Sequence, residues 1–267
     1  MTEEAPDGVD TSVPASPRIW NYWLGGTDNH PVDREAGDAW AAVHPEIFDL
    51  ARASRAFLHR TVTFLAAEAG VRQFLDVGSG LPTADNTHEV AQRAAPDARI
   101  VYVDQDPSVR AHAARFLRSS PEGATHYVHT DMHDTAAVLA GAGEVLDLSR
   151  PVAVQFMGVL GHLADIEEAR AVVRGILDPL PAGSYLTIND GVLPRGPSAE
   201  ADAIRKAQDE YAETGAVPYR DRDHDELLSL FDGLDLVEPG FVPMHLWRQE
   251  GSVPQTPDQY GGVGRKP

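Results

Sequence analysis

The run Gln73-Phe74-Leu75-Asp76-Val77-Gly78-Ser79-Gly80-Leu81-Pro82-Thr83 passes from apolar residues through an acid into two glycines one residue apart. A short continuous apolar run reads as a parallel strand buried on both faces. The glycines after it read as a tight turn, and a helix begins at about Ala84. Gly78 and Gly80 permit the turn and leave the main chain open to a ligand at the strand's carboxyl end. Outward from this point, apolar runs at 99–103, 125–129, 151–157 and 184–189 join 72–77 as strands. Helical periodicity fills about 84–95, 107–118, 134–140 and 165–180. Strands alternating with helices imply an α/β domain with a parallel sheet and right-handed crossovers.

The charges around the turn select the ligand. Thr83 stands where the dinucleotide pattern G-x-G-x-x-G needs its third glycine, and Pro82 precedes it. Acids follow three strands: Asp76, then Asp104 and Asp106, then Asp131. No Lys or Arg lies between Phe74 and Asn86 to offset them. Carboxylates gathered at strand ends repel a pyrophosphate and attract a cation or a ribose. S-adenosylmethionine, with its sulfonium and α-ammonium, suits this pattern better than a nicotinamide dinucleotide. Asp106, before Pro107, reads more simply as a helix N-cap.

Asp76-Val77-Gly78-Ser79-Gly80 resembles the first motif of Rossmann-like methyltransferases. Asp104 resembles their ribose-binding acid, and Asp131-Met132 the pair that flanks adenine. More narrowly, Arg18 to Gly26, Phe74 to Thr83, His88-Glu89-Val90 and the ending Gly261 to Pro267 together resemble one actinobacterial family. It was first catalogued as domain of unknown function 574 and is now grouped with S-adenosylmethionine-dependent methyltransferases. The resemblance covers nearly the whole chain after Pro17. It implies a class I fold: a seven-stranded, mostly parallel sheet in the order 3-2-1-4-5-7-6, with the last strand antiparallel. It implies S-adenosylmethionine as cofactor and supplies no acceptor. On this basis Gly78 and Gly80 leave space for the methionyl part, which Asp76 and Ser79 anchor. Asp104 accepts from the ribose hydroxyls with Gln105 beside it. Asp131 accepts from the adenine amine, Met132 packs on the ring, and Phe156 and Met157 line the site.

The chain divides into a disordered tail over 1–16, an arm and helical cap over 17–70, and the core over 71–267. In the arm, Trp20, Tyr22 and Trp23 crowd four positions before Gly25-Gly26. The aromatics either pack the arm onto the domain or close it over the cofactor, with Tyr22 and Asn29 supplying hydrogen bonds; one arm can do both. Helices at Asp33–Val43 and Pro45–Ala69 roof the crevice. Further helices are expected at Ser198–Glu213 and Asp223–Phe231, and residues 260–266 pair back against 233–247.

Methyl transfer from a sulfonium leaves a neutral thioether, so alignment can supply much of the catalysis. His162, beyond the fourth strand, is the candidate base; the rival reading is a helix-start histidine bonded to backbone. His126 and His129 fall on opposite faces of a strand, which disfavours a metal site. No G-x-S-x-G elbow supports a hydrolase. Tyr211, Tyr219, His224, His245 and Trp247 either line a substrate pocket or pack the core.

The 41 acidic against 22 basic residues give a net charge of −19, which disfavours nucleic acid and anionic membranes. Only Lys206 and Lys266 are lysines, and there is no cysteine for disulfides or thiolate metal sites. The start, Met1 to Asp7, lacks the pattern of a signal peptide, and no apolar run is long enough to span a bilayer. The expectation is a cytoplasmic S-adenosylmethionine-dependent methyltransferase acting on a small-molecule acceptor. Its rivals are a non-catalytic S-adenosylmethionine-binding protein and a nicotinamide-dependent oxidoreductase.

Overall fold

The computed structural model describes residues 9–83, 85–194, 196, 198–213, 217–249, 251, 255–256 and 258–267. Gln73–Val77 (β1), Arg99–Asp104 (β2), Ala124–His129 (β3), Ala153–Met157 (β4) and Tyr185–Gly191 (β5) are the five expected parallel strands. Asp235–Leu236 (β6) and Val242–Pro243 (β7) both pair with Gln259–Arg265 (β8), which runs antiparallel to β5. The order is β3-β2-β1-β4-β5-β8-β6, with β7 also on β8. This is the expected order with one two-residue strand added. The addition has a local cause: Pro243 offers no N–H to continue a ladder. A short turn at Met244–Leu246 then carries the chain off the sheet.

Ser16–Trp23 (α1), Pro31–Val43 (α2) and Ile47–Thr63 (α3) precede β1. Thr87–Ala94 (α4), Pro107–Phe116 (α5), Thr135–Ala142 (α6) and Ile166–Leu177 (α7) occupy the crossovers, and Ala199–Glu213 (α8) and His224–Leu228 (α9) follow β5. Ala84, the expected start of the first crossover helix, lies outside the described residues. The helix opens three positions later on a capping box, in which Asn86 N–H donates to Glu89 Oε2 at 2.8 Å. Asp106 caps α5 as expected, accepting from Ser108 N–H at 2.7 Å.

Alternation along the strands divides the core into two layers. Phe74, Ile100 and Tyr102 pack with Phe57, Leu58 and Val90 of α3 and α4. Leu75, Val77, Val101 and Val103 pack with Val138, Val172 and Ile176 of α6 and α7. Trp247, wholly buried, meets Phe57 and Phe64 edge-on at 5.7 and 5.9 Å. Arg60 fastens that turn to α3 by donating to the carbonyls of Trp247 and Met244 at 2.8 and 2.7 Å. A third cluster, of Ile19, Trp23, Ala36, Ile47, Ala51 and Tyr211, joins α1, α2 and α3 to α8. The cap therefore also draws on a helix from beyond residue 70.

Residues 1–8 of the expected tail lie outside the described residues. The rest is tied down: Arg18 Nη2 donates to the carbonyls of Val13 and Asp10 at 2.6 and 3.1 Å, and Ala15 N–H donates to Asp33 Oδ1 at 3.0 Å. No described helix is long and apolar enough to cross a membrane.

Candidate active site

A cavity of about 480 Å³ opens at the carboxyl ends of β1, β2 and β4, beneath α1 and α3. Its floor is the glycine turn. Gly78 has φ +71° and Gly80 has φ +65°, a region in which residues with a Cβ are strained. A Cβ on Gly78 would also run into the Val159 side chain, whereas one on Gly80 would meet nothing within 4 Å. The turn is stitched to β2 by Gly78 N–H donating to the Val103 carbonyl at 2.8 Å. Gly80 N–H donates to Asp104 Oδ2 at 2.9 Å, and Asp106 N–H donates to Asp104 Oδ1 at 2.9 Å. The acid at the end of the second strand and the second glycine thus form one unit.

Asp76, 4% exposed, accepts from Thr87 Oγ1 at 2.6 Å. Burial pushes its pKa up to about 6, against the lowering effects of the Thr87 hydroxyl and the Arg55 charge. Burial likewise pushes Asp104 up to about 6, opposed by the two backbone donors and reinforced by Asp106 and Asp76. His88-Glu89-Val90 supports this arrangement from behind. His88 N–H donates to Tyr102 Oη at 2.8 Å, Glu89 closes the capping box, and Val90 is buried.

The structure gathers Asp76, Gly78, Ser79, Gly80, Asp104, Gln105, Met132, Met157 and His162 around the cavity. Tyr22, Asn29, Asp131 and Phe156 are not among the lining residues. Phe156 shares register with Val77 and Ile188, so it faces α6 and α7 and lies in that core layer. Tyr22 points off α1 and donates to Asp38 Oδ1 at 2.7 Å, while Trp20, Asn21 and Trp23 face the cavity. Asn29 braces its own loop, donating to Asn21 Oδ1 at 3.0 Å and to the Gly26 carbonyl at 2.9 Å. Thr130 and Met132 line the wall on either side of Asp131. Asp131 Oδ1 instead accepts from His133 N–H at 3.0 Å and meets His133 Nδ1 at 2.5 Å. Burial pushes Asp131 up, but the contacts to His133 outweigh it and hold the carboxyl below its usual range.

His162 Nδ1 lies 2.8 Å from the Pro218 carbonyl, which can only accept. Nδ1 therefore carries the proton and Nε2 the lone pair. Burial lowers this imidazole's pKa, with the Pro218 contact opposing. Tyr219 stands edge-on to His162 at 5.2 Å, and its hydroxyl donates to Asp190 Oδ1. Beside it, burial together with the Asp190 and Asp258 charges pushes Asp221 up to about 7. Tyr211 and Tyr219 line the cavity. His224, His245 and Trp247 do not; His224, for instance, sits against Tyr260 and Phe241 at 5.0 and 5.4 Å. Sequence reasoning missed Arg55, Trp40 and Asp221. For Arg55 a signal existed, since it lies four residues after Ala51 and three before Leu58, at the margin of the apolar stripe of α3.

Fold and site together define a class I methyltransferase architecture. The chain belongs to the S-adenosyl methyltransferase family, whose model matches residues 2–267. It is similar to the crystal structure of a DUF574 family protein from Streptomyces avermitilis, with 42% identity and a TM-score of 0.90 over 97% of this chain and 99% of that one. It is also similar to a candidate methyltransferase from Thermobifida fusca, with 36% identity and a TM-score of 0.88 over 99% of both chains. An O-methyltransferase family 2 protein from Planctomyces limnophilus, solved in complex with apigenin, shares the fold at 18% identity and a TM-score of 0.50, over 93% of this chain and 65% of that one. A search of curated proteins gives no significant match.

Proposed function

We propose that the protein transfers the methyl group of S-adenosylmethionine to a small-molecule acceptor within this cavity. The observation that carries the reading is the unit made by Asp76, the Gly78–Gly80 turn and Asp104, whose carboxylate accepts from Gly80 N–H at 2.9 Å. The donor set fits the cofactor. Asp76, Asp104 and Asp106 disfavour a diphosphate, and Asp104 retains lone pairs for ribose hydroxyls. Met132 offers an apolar surface for the adenine ring, and Met157 closes the β4 side. When bound, the sulfonium would supply an electrophilic methyl carbon and leave a neutral thioether behind.

The chain's own contribution is alignment, exclusion of water and removal of a proton. Trp20, Trp23 and Trp40 give the acceptor side an apolar wall. His162, neutral and with Nε2 unprotonated, takes a proton from the acceptor if its nucleophile carries one. Confinement beneath α1 supports a small acceptor, and so does a net charge of −19, which opposes nucleic acid.

Calorimetric titration with S-adenosylhomocysteine is the test. Wild type binds it, and Asp104→Ala weakens binding by about 1.5–3 kcal/mol, the loss of charged hydrogen bonds. A thermal shift with a nicotinamide dinucleotide and none with S-adenosylhomocysteine would reverse the assignment. Tight binding with no methyl transfer to any acceptor would leave the non-catalytic alternative.

A further inference from the structure

Among its described residues, the cavity holds one arginine amid several acids. Arg55 of α3 is the only Lys or Arg among the described lining residues, which include Glu46, Asp76, Asp104, Asp106, Asp221 and Asp258. Asp76 is the foremost of the negative charges that act on Arg55, but the two form no ion pair, and Asp76 Oδ2 takes the Thr87 hydroxyl instead. Arg55 makes no hydrogen bond or ion pair among the described residues. Two other arginines that reach inward differ. Arg18 donates to Asp33, Ser108 and Val13, and Arg60 donates to two carbonyls. A half-buried guanidinium on the cavity wall with no acceptor from the described protein residues is free to take one from a ligand.

We propose that Arg55 binds the α-carboxylate of an amino-acid tail, the methionyl end of the cofactor, while Asp76 faces its α-ammonium. This rests on the cofactor reading above. A separated guanidinium and carboxylate match a zwitterion, which brings one charge for each. A phosphate would bring extra negative charge beside Asp76 and Asp104, with one cation to meet it. The planar fork of Arg55 suits two parallel bonds to a carboxylate. The acids recognised in the sequence thus account for the positive parts of the ligand, and α3 supplies what its negative end needs.

The experiment is calorimetric titration of wild type, Arg55→Ala and Arg55→Gln with two nucleosides. S-adenosylhomocysteine carries the amino-acid tail; 5′-methylthioadenosine lacks it. Either substitution should weaken S-adenosylhomocysteine by about 10- to 100-fold and 5′-methylthioadenosine by less than about threefold. On the wild type, the methyl ester of S-adenosylhomocysteine, which keeps the ammonium and loses the anion, should bind at least about tenfold more weakly than the acid. The ester arm decides the matter even if neither variant folds. Equal weakening of both nucleosides, no weakening of either, or an ester that binds as well as the acid overturns the assignment of Arg55. A wild type that binds neither nucleoside sinks the cofactor reading itself.

Discussion

At the scale of single residues, the two glycines of the turn are not equivalent. Both sit at positive φ, where a Cβ costs about 1–2 kcal/mol. Only Gly78 also abuts Val159, and overlap in a packed site costs about 1–3 kcal/mol more. Gly78→Ala should therefore lower unfolding stability by about 2–5 kcal/mol and Gly80→Ala by about 1–2 kcal/mol, read from denaturant midpoints. Equal losses would mean that Val159 yields. For His162, nitrogen NMR should find the proton on Nδ1 and titration below the ordinary value of about 6.5. A proton on Nε2 would remove the base role. Asp76, Gly78, Gly80 and Asp104 were legible in the sequence because an apolar run ending in an acid and a glycine pair has few other readings. Phe156 and Met157 were both assigned to the site, although consecutive strand residues must face opposite ways. Arg55 had only a weak signal, its place at the margin of the apolar stripe of α3, because its position on the cavity wall depends on how α3 packs over the strand ends, which no linear window contains.

At the scale of elements, α1 is the part whose role the sequence left open between packing and closing the cavity. The structure packs Ile19 and Trp23 into the cap core and places Trp20 and Asn21 on the cavity wall. Tyr22 was misjudged because an aromatic-rich segment before two glycines suggests an irregular arm; helical periodicity turns Tyr22 away from Trp20. The helix is pinned by Arg18, whose Nε meets Asp33 Oδ2 at 2.8 Å, with the two side chains 4% and 0% exposed. Arg18 Nη1 also donates to Ser108 Oγ at 3.1 Å, which links the arm to the start of α5, two residues beyond Asp106. Removing one partner of a buried pair strands the other, so Arg18→Ala should cost about 3–5 kcal/mol. The double variant Arg18→Ala, Asp33→Ala should cost clearly less than the sum of the singles. Additive losses in denaturant unfolding would show that the pair is not coupled. S-adenosylhomocysteine affinity should fall with Arg18→Ala, because the wall carrying Trp20 loosens.

At the scale of the whole molecule, the alternation of strand and helix was legible in the residues, while the strand order came from the family resemblance. The charge balance of the interior was not legible, because burial alters it. Asp76, Asp104 and Asp190 are each pushed up to about 6, and Asp221 to about 7, by burial first of all. A carboxyl whose pKa is higher folded than unfolded binds more protons in the native state through the interval between the two values. Its ionised form is the unfavourable one, so native stability falls as pH rises through that interval. Burial shifts His88 and His162 the other way: their native forms bind fewer protons, and stability falls as pH drops past the ordinary histidine value. The four carboxyls should therefore stabilise the ligand-free protein as pH falls from about 7 towards about 4, with the two histidines opposing them below about 6.5; a melting temperature that falls steadily from about pH 7 to about pH 5 would show that the histidines outweigh them. A cationic nucleoside favours the ionised forms of Asp76 and Asp104, so its binding must release protons where those groups are partly protonated. Titration of S-adenosylmethionine at about pH 6, in two buffers of different ionisation enthalpy, should give a net release, reduced in Asp104→Asn. Proton uptake, or a release unchanged by that substitution, would mean that the cofactor does not draw on the charge of Asp104.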